Sequence, residues 1–167
     1  MAPSGSPAAC NTSHPPATRR ISPRRFAIDT TADDRPLFVY GTLRRGRANE
    51  RHLPPHRFLG SAITAEPRPL YVAHDRFVPV LVDDPGVGHP VEGDLIEVAG
   101  PGLAFLDAFE GVGHPEGYRR TVIGVIHEGS EREAWAYVKE PGAIDVAHAG
   151  PLRSYPADDR YRPPADR

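Results

Sequence analysis

Only one stretch of this chain can run as a helix of several turns. In GPGLAFLDAFEG, residues 100–111, Pro101 suits the first helical turn and Gly111 the position just past the last. Elsewhere glycine and proline cut the chain into short apolar runs. PLFVYG (36–41) reads as a buried strand closed by a glycine. RRGRANERHL (44–53) has room for a short helix that stops before Pro54 and Pro55. RFLGSAITAEP (57–67) and PLYVAH (69–74) read as two short strands with a turn between them. RFVPVLVDDPG (76–86) is a strand that Pro79 marks as an edge or a bend. HPVEGDLIEVAG (89–100) places Val91, Gly93, Leu95 and Glu97 on one face, and Ile96 and Val98 on the other. YRRTVIGVIHEG (118–129) and REAWAYVKEP (132–141) read as a hairpin joined through Gly129-Ser130. Many short strands and one main helix predict an α+β domain built on a small barrel or a strongly curved sheet.

The 167 residues suffice for one core. We place a Pro/Ser/Arg-rich leader over 1–35, one folded domain over 36–140 and an extended Pro-rich tail over 141–167. Residues 1–28 contain no Asp or Glu but include Arg19, Arg20, Arg24 and Arg25. No apolar run follows the arginines, as an export signal would need, and prolines break any amphipathic transit helix, so the leader is expected to be disordered. The near-repeat of GVGHPVEG (86–93) and GVGHPEG (111–117) stands in different contexts and reads as turn chemistry.

A net charge of −2 argues against a nucleic-acid partner. Cys10 is the only cysteine, which excludes a disulfide framework and a Cys-based zinc site. No apolar run approaches the ~20 residues that span a bilayer. A cytoplasmic chain, monomeric or weakly dimeric and without a membrane partner, is expected.

Glu110 is the carboxylate of most interest. On a helix it shares a face with Leu103 and Leu106, between Phe105 and Phe109, in the last turn, where the helix dipole disfavours an anion. Burial and dipole both raise a carboxyl pKa, as a general acid/base requires. The bland alternative is a glutamate at the stripe's edge that reaches out to water. Asp107 is expected on the outer, solvated side. The second element is Tyr40-Gly41-Thr42-Leu43, where glycine permits a tight turn and a close ligand, and successive N–H groups can cradle an anion. Without a second glycine or a nearby lysine it is not a phosphate loop. Arg44, Arg45 and Arg47 read mainly as a solvated face. The histidines lack ligand spacing, since Pro54 and Pro55 separate His52 from His56, so the chemistry is expected to need no metal. No GxSxG elbow is present.

FVYGTLRRG, VEGDLIEV, FLDAFEG, YRRTVIGV and AWAYV occur in that order over residues 37–139. With them the chain resembles the γ-glutamylcyclotransferase-like superfamily, and within it the γ-glutamylamine cyclotransferases and their bacterial relatives. The glutathione-specific branches usually carry serine in place of Thr42 and lack the Arg-Arg-Gly that follows here. The resemblance implies a small mixed barrel with helices packed on it and no cofactor. It also implies a substrate cradle at Tyr40, Gly41, Thr42 and Leu43, Glu110 as catalytic acid/base, and Tyr118 lining the pocket. The segment between Glu110 and Tyr118 is longer than expected for the amine branch, which bears on the pocket rim. The implied partner is a small γ-glutamyl substrate, cyclised to 5-oxoproline with release of an amine. Two alternatives use the same fold: removal of a γ-glutamyl protecting group from a specialised metabolite, and a non-catalytic metabolite-binding module.

Overall fold

The computed structural model describes residues 34–163. The leader expected over 1–35 lies outside the described residues save for its last two. The elements are β1 (Leu37–Val39), β2 (His56–Thr64), β3 (Leu70–Ala73), β4 (Val78–Leu81), β5 (Glu92–Val98), α1 (Gly100–Phe109), β6 (Arg119–His127), β7 (Ser130–Val138) and β8 (Ala147–Ala149). The helix expected before Pro54 is a single 3₁₀ turn, Glu50–His52.

Five strands close a barrel in the order β1-β5-β2-β6-β7, sealed by a parallel contact between Leu37 and Trp135. The expected small barrel is thus present. β4, β3 and β8 form a separate three-stranded sheet. β2 and β3 were expected as neighbours across a turn, but they part into different sheets. Pro79 lies on β4, an edge strand of the second sheet, as its missing N–H requires. The β6–β7 hairpin closes at the pair His127 and Ser130, so its two turn residues are Glu128 and Gly129, one place earlier than expected. Both have positive φ, 49° and 77°, which matches the twist of a two-residue hairpin turn.

β1 is buried on both faces, as its unbroken apolar run requires. Phe38 joins the main core with Leu70, Leu81, Leu95 and Val125. Leu37 and Val39 point the other way, into a second cluster with Ile96, Leu106 and Tyr137 that seats α1 on the barrel wall. The alternation expected along β5 holds: Val91 and Leu95 enter the first cluster, Ile96 and Val98 the second.

Residues beyond 140 were expected to be loosely held. They are extended, yet they belong to the fold. β8 pairs with β3, the Leu152 N–H donates to the Leu70 carbonyl, and Tyr155 is 2% exposed in the main core. An extended, proline-rich segment reads as a tail in sequence, but it is also the conformation that adds a strand to an open sheet edge.

Candidate active site

β1 ends in the main core, and the chain turns at once through Tyr40–Leu43, with the Arg44 N–H returning to the Gly41 carbonyl at 3.1 Å. Gly41 is required by packing on the protein side: a Cβ there would lie 2.4 Å from Pro79 Cγ. Among the described residues, the N–H groups of Gly41, Thr42 and Leu43 donate to no protein acceptor outside the strand ladders. The turn is therefore fixed while its donors remain available.

Asp94, buried on β5, accepts from the Arg44 guanidinium and from the Arg45 N–H, each at 3.3 Å. Arg44 also reaches Ser154 Oγ at 3.3 Å. Its side chain is only 18% exposed, so it is a clamp on the turn and not part of a solvated face. Asn49, 2% exposed, sits behind the turn. Its Nδ2 donates to Thr42 Oγ1 at 2.9 Å and to the Tyr161 hydroxyl at 2.7 Å. Sequence reasoning missed Asp94, Asn49 and Tyr161, because nothing in their local pattern says that they meet.

Glu110 caps the C-terminus of α1, and Gly111 follows with φ 69°, the left-handed stop expected there. The seven residues 111–117 then fold back on themselves. The Tyr118 N–H donates to the Glu110 carbonyl at 3.0 Å, and a Cβ on Gly117 would fall 1.8 Å from the Gly111 carbonyl oxygen. The longer segment thus loops out without separating Tyr118 from Glu110. The Tyr118 hydroxyl donates to the Pro79 carbonyl at 2.7 Å. Asp107, expected to be solvated, accepts from the Tyr137 hydroxyl at 2.9 Å and pairs with Arg120 at 3.0 Å, tying α1 to β6 and β7.

These elements surround a cavity of about 1420 Å³. All six residues expected at the site, Tyr40, Gly41, Thr42, Leu43, Glu110 and Tyr118, line it. So do Tyr161 and Lys139. Exposed Phe105 and Val112 give its mouth an apolar edge. Tyr40 donates its hydroxyl to the Tyr137 carbonyl at 2.7 Å. Its pKa is pushed well up, first by burial and then by the negative charge of Glu110, so the ring is a neutral wall of the site. Lys139, the only lysine of the chain, lies over the Tyr118 ring at 5.0 Å and donates to the Glu116 carbonyl at 2.6 Å. Burial lowers its pKa against the pull of Glu116, Asp145 and Glu110. Burial and then the charge of Lys139 lower the pKa of His74, which also lines the cavity.

A family model described as "Gamma-glutamyl cyclotransferase, AIG2-like" matches residues 37–159. The gamma-glutamylaminecyclotransferase of Bos taurus is 36% identical over 143 residues, covering 79% of this chain and 84% of that protein. The Homo sapiens protein of the same name is 42% identical over 94 residues, 53% of this chain and 60% of its own length. Among solved structures, an AIG2-like protein from Mus musculus superposes with a TM-score of 0.69 at 30% identity, covering 81% of this chain and 100% of that one. YkqA from Bacillus subtilis shares the fold, with a TM-score of 0.52 at 23% identity over 64% of this chain and 36% of its own. The similarity thus runs to the γ-glutamylamine cyclotransferase branch, and the chain belongs to the gamma-glutamyl cyclotransferase, AIG2-like family.

Proposed function

We propose that the chain is a γ-glutamylcyclotransferase acting on a γ-glutamyl amine, which it converts to 5-oxoproline and the free amine. The observation that carries this reading is the convergence of Glu110 with the Tyr40–Leu43 turn on one cavity. The α-amine of the substrate attacks its own γ-carbonyl carbon. The new C–N bond closes the lactam, and the bond to the departing amine breaks. The ammonium gives up two protons as it becomes the lactam N–H. Glu110, as base and then acid, returns one to the leaving nitrogen, which takes up the second on becoming an ammonium.

No protein nucleophile is needed, because the substrate brings its own. Holding the glutamyl chain folded supplies a proximity term of ~7–11 kcal/mol in favourable intramolecular cases. The available N–H groups at Gly41–Leu43 suit the anionic end of the substrate. The similarity to proteins named gamma-glutamylaminecyclotransferase supports the choice of an amine as leaving group.

A second reading on the same chemistry is the deprotection of a bulkier γ-glutamyl conjugate, for which the cavity, open to solvent, leaves room. One assay separates the two readings. A panel of γ-glutamyl amines of increasing size, γ-glutamyl amino acids and glutathione is scored for 5-oxoproline. Glu110→Gln should retain the wild-type melting temperature and lose at least about a hundredfold in kcat, the scale of a removed general acid/base. Wild-type release of 5-oxoproline by that variant would sink the assignment.

A further inference from the structure

The C-terminal segment is held at defined points, by bonds to Phe77 and Arg76 and by one within itself. The Tyr155 hydroxyl donates to the Phe77 carbonyl at 3.2 Å, the Arg162 N–H to the Arg76 carbonyl at 2.9 Å, and the Tyr161 N–H to the Asp158 carbonyl at 3.0 Å. This brings Tyr161 to the cavity wall beside Thr42, with Asn49 between and behind them. Asn49 is itself fixed by its backbone, whose N–H donates to the Thr42 carbonyl at 2.8 Å and whose carbonyl accepts from the His52 N–H at 2.9 Å.

A side-chain amide nitrogen has two hydrogens, and here each goes to a different hydroxyl oxygen. A hydroxyl has one proton. When its oxygen accepts from Asn49, that proton must turn elsewhere. Among the described residues no protein acceptor takes the proton of Thr42 or of Tyr161. Thr42 and Tyr161 both line the cavity, which leaves a ligand there as the acceptor for the two protons. Two fixed donors side by side, next to the available N–H groups of Gly41–Leu43, suit the two oxygens of a carboxylate.

We infer that Tyr161 and Thr42 form a paired hydroxyl site for the α-carboxylate of the γ-glutamyl group, with Asn49 as the positioning residue that sets both as donors. The inference rests on the proposed reaction for the identity of the carboxylate. The reverse orientation of the amide would take both protons and leave nothing to donate. Asn49→Asp imposes that reversed polarity at nearly unchanged volume.

The test measures binding of 5-oxoproline and of its uncharged carboxamide by calorimetry on the full chain, beside the 5-oxoproline release assay. Tyr161→Phe should weaken 5-oxoproline by about tenfold or more, change the carboxamide by less than about twofold, and raise KM with kcat nearly unchanged. Its melting temperature should remain that of the wild type. Asn49→Asp should show the same split between the two ligands and a larger loss. Equal weakening of both ligands by Tyr161→Phe, or none, overturns the inference even if Asn49→Asp does not fold. Failure of the proposed reaction reads differently: the wild type would release no 5-oxoproline from any substrate, while the binding arm would still report on the hydroxyl pair.

Discussion

Gly41 and Pro79 show how little room surrounds the candidate cradle. A single methyl at residue 41 would overlap the proline ring, which has no rotamer with which to yield. Gly41→Ala is therefore expected to cost about 1–3 kcal/mol, as overpacking does, and to lower kcat/KM by displacing the turn. Pro79→Ala in the same chain should recover part of both losses, since it removes the atom in the way. Chemical denaturation and steady-state kinetics on the single and double variants check this, and absence of any recovery would show that the strain lies elsewhere. Glu110 was legible because a carboxylate on an apolar helical stripe is unusual in itself. Asn49 was not, because a buried asparagine in a polar loop has the same local signature as an exposed one.

At the level of elements, α1 ends in Glu110, the proposed acid/base, and the seat of the helix on the barrel decides where that carboxylate stands. Leu106 supplies the buried contact, while Asp107 adds a hydrogen bond from Tyr137 on β7 and an ion pair with Arg120 on β6. Asp107→Ala removes both. The site is partly exposed, with Asp107 and Arg120 at 25% and 26%, so the expected loss is about 1–2 kcal/mol, smaller than for a fully buried pair. Thermal melting reads that loss, and an unchanged melting temperature would mean that the apolar contacts of Leu103, Leu106 and Phe109 seat the helix without Asp107. The start and stop of α1 were readable because proline and glycine act locally. The outward placement of Asp107 failed because the helical wheel gives direction and not neighbours: β6 and β7 rise beside the helix and meet that face.

For the whole molecule, closing the barrel and adding the C-terminal segment belong together, since Tyr155 enters the main core from beyond β8. Tyr155→Ala should cost about 3–5 kcal/mol, in the range of large aromatic truncations, and show directly in urea unfolding. The same ring contributes a pH limit. Burial first, then Asp158, pushes the Tyr155 pKa up to about 12, against roughly 10 in an unfolded chain. Its raised folded value means that this contribution is whole below about pH 10 and is lost as pH climbs through about 12. Tyr40 and Tyr137 are pushed up too, chiefly by burial, and act with the same sign. Alkaline unfolding with a concerted release of tyrosinate absorbance above pH 10 is expected, and independent titration of all tyrosines in a folded chain would contradict it.

What the amino-acid sequence determined alone is what short range can determine: strands by alternation, the helix by its flanking proline and glycine, the hairpin by its turn residues, and the two local signatures of Glu110 and Tyr40–Leu43. The tertiary structure decided which strands meet, that β2 and β3 part into different sheets, and that the final segment packs into the core. It also decided that Asn49, from the loop after β1, lies between Thr42 and Tyr161. The physical reason is the range of the forces involved. Backbone sterics and side-chain periodicity act over a few residues and leave a mark in the sequence. Burial and hydrogen-bond pairing act between residues distant in sequence and become visible only once the barrel has closed.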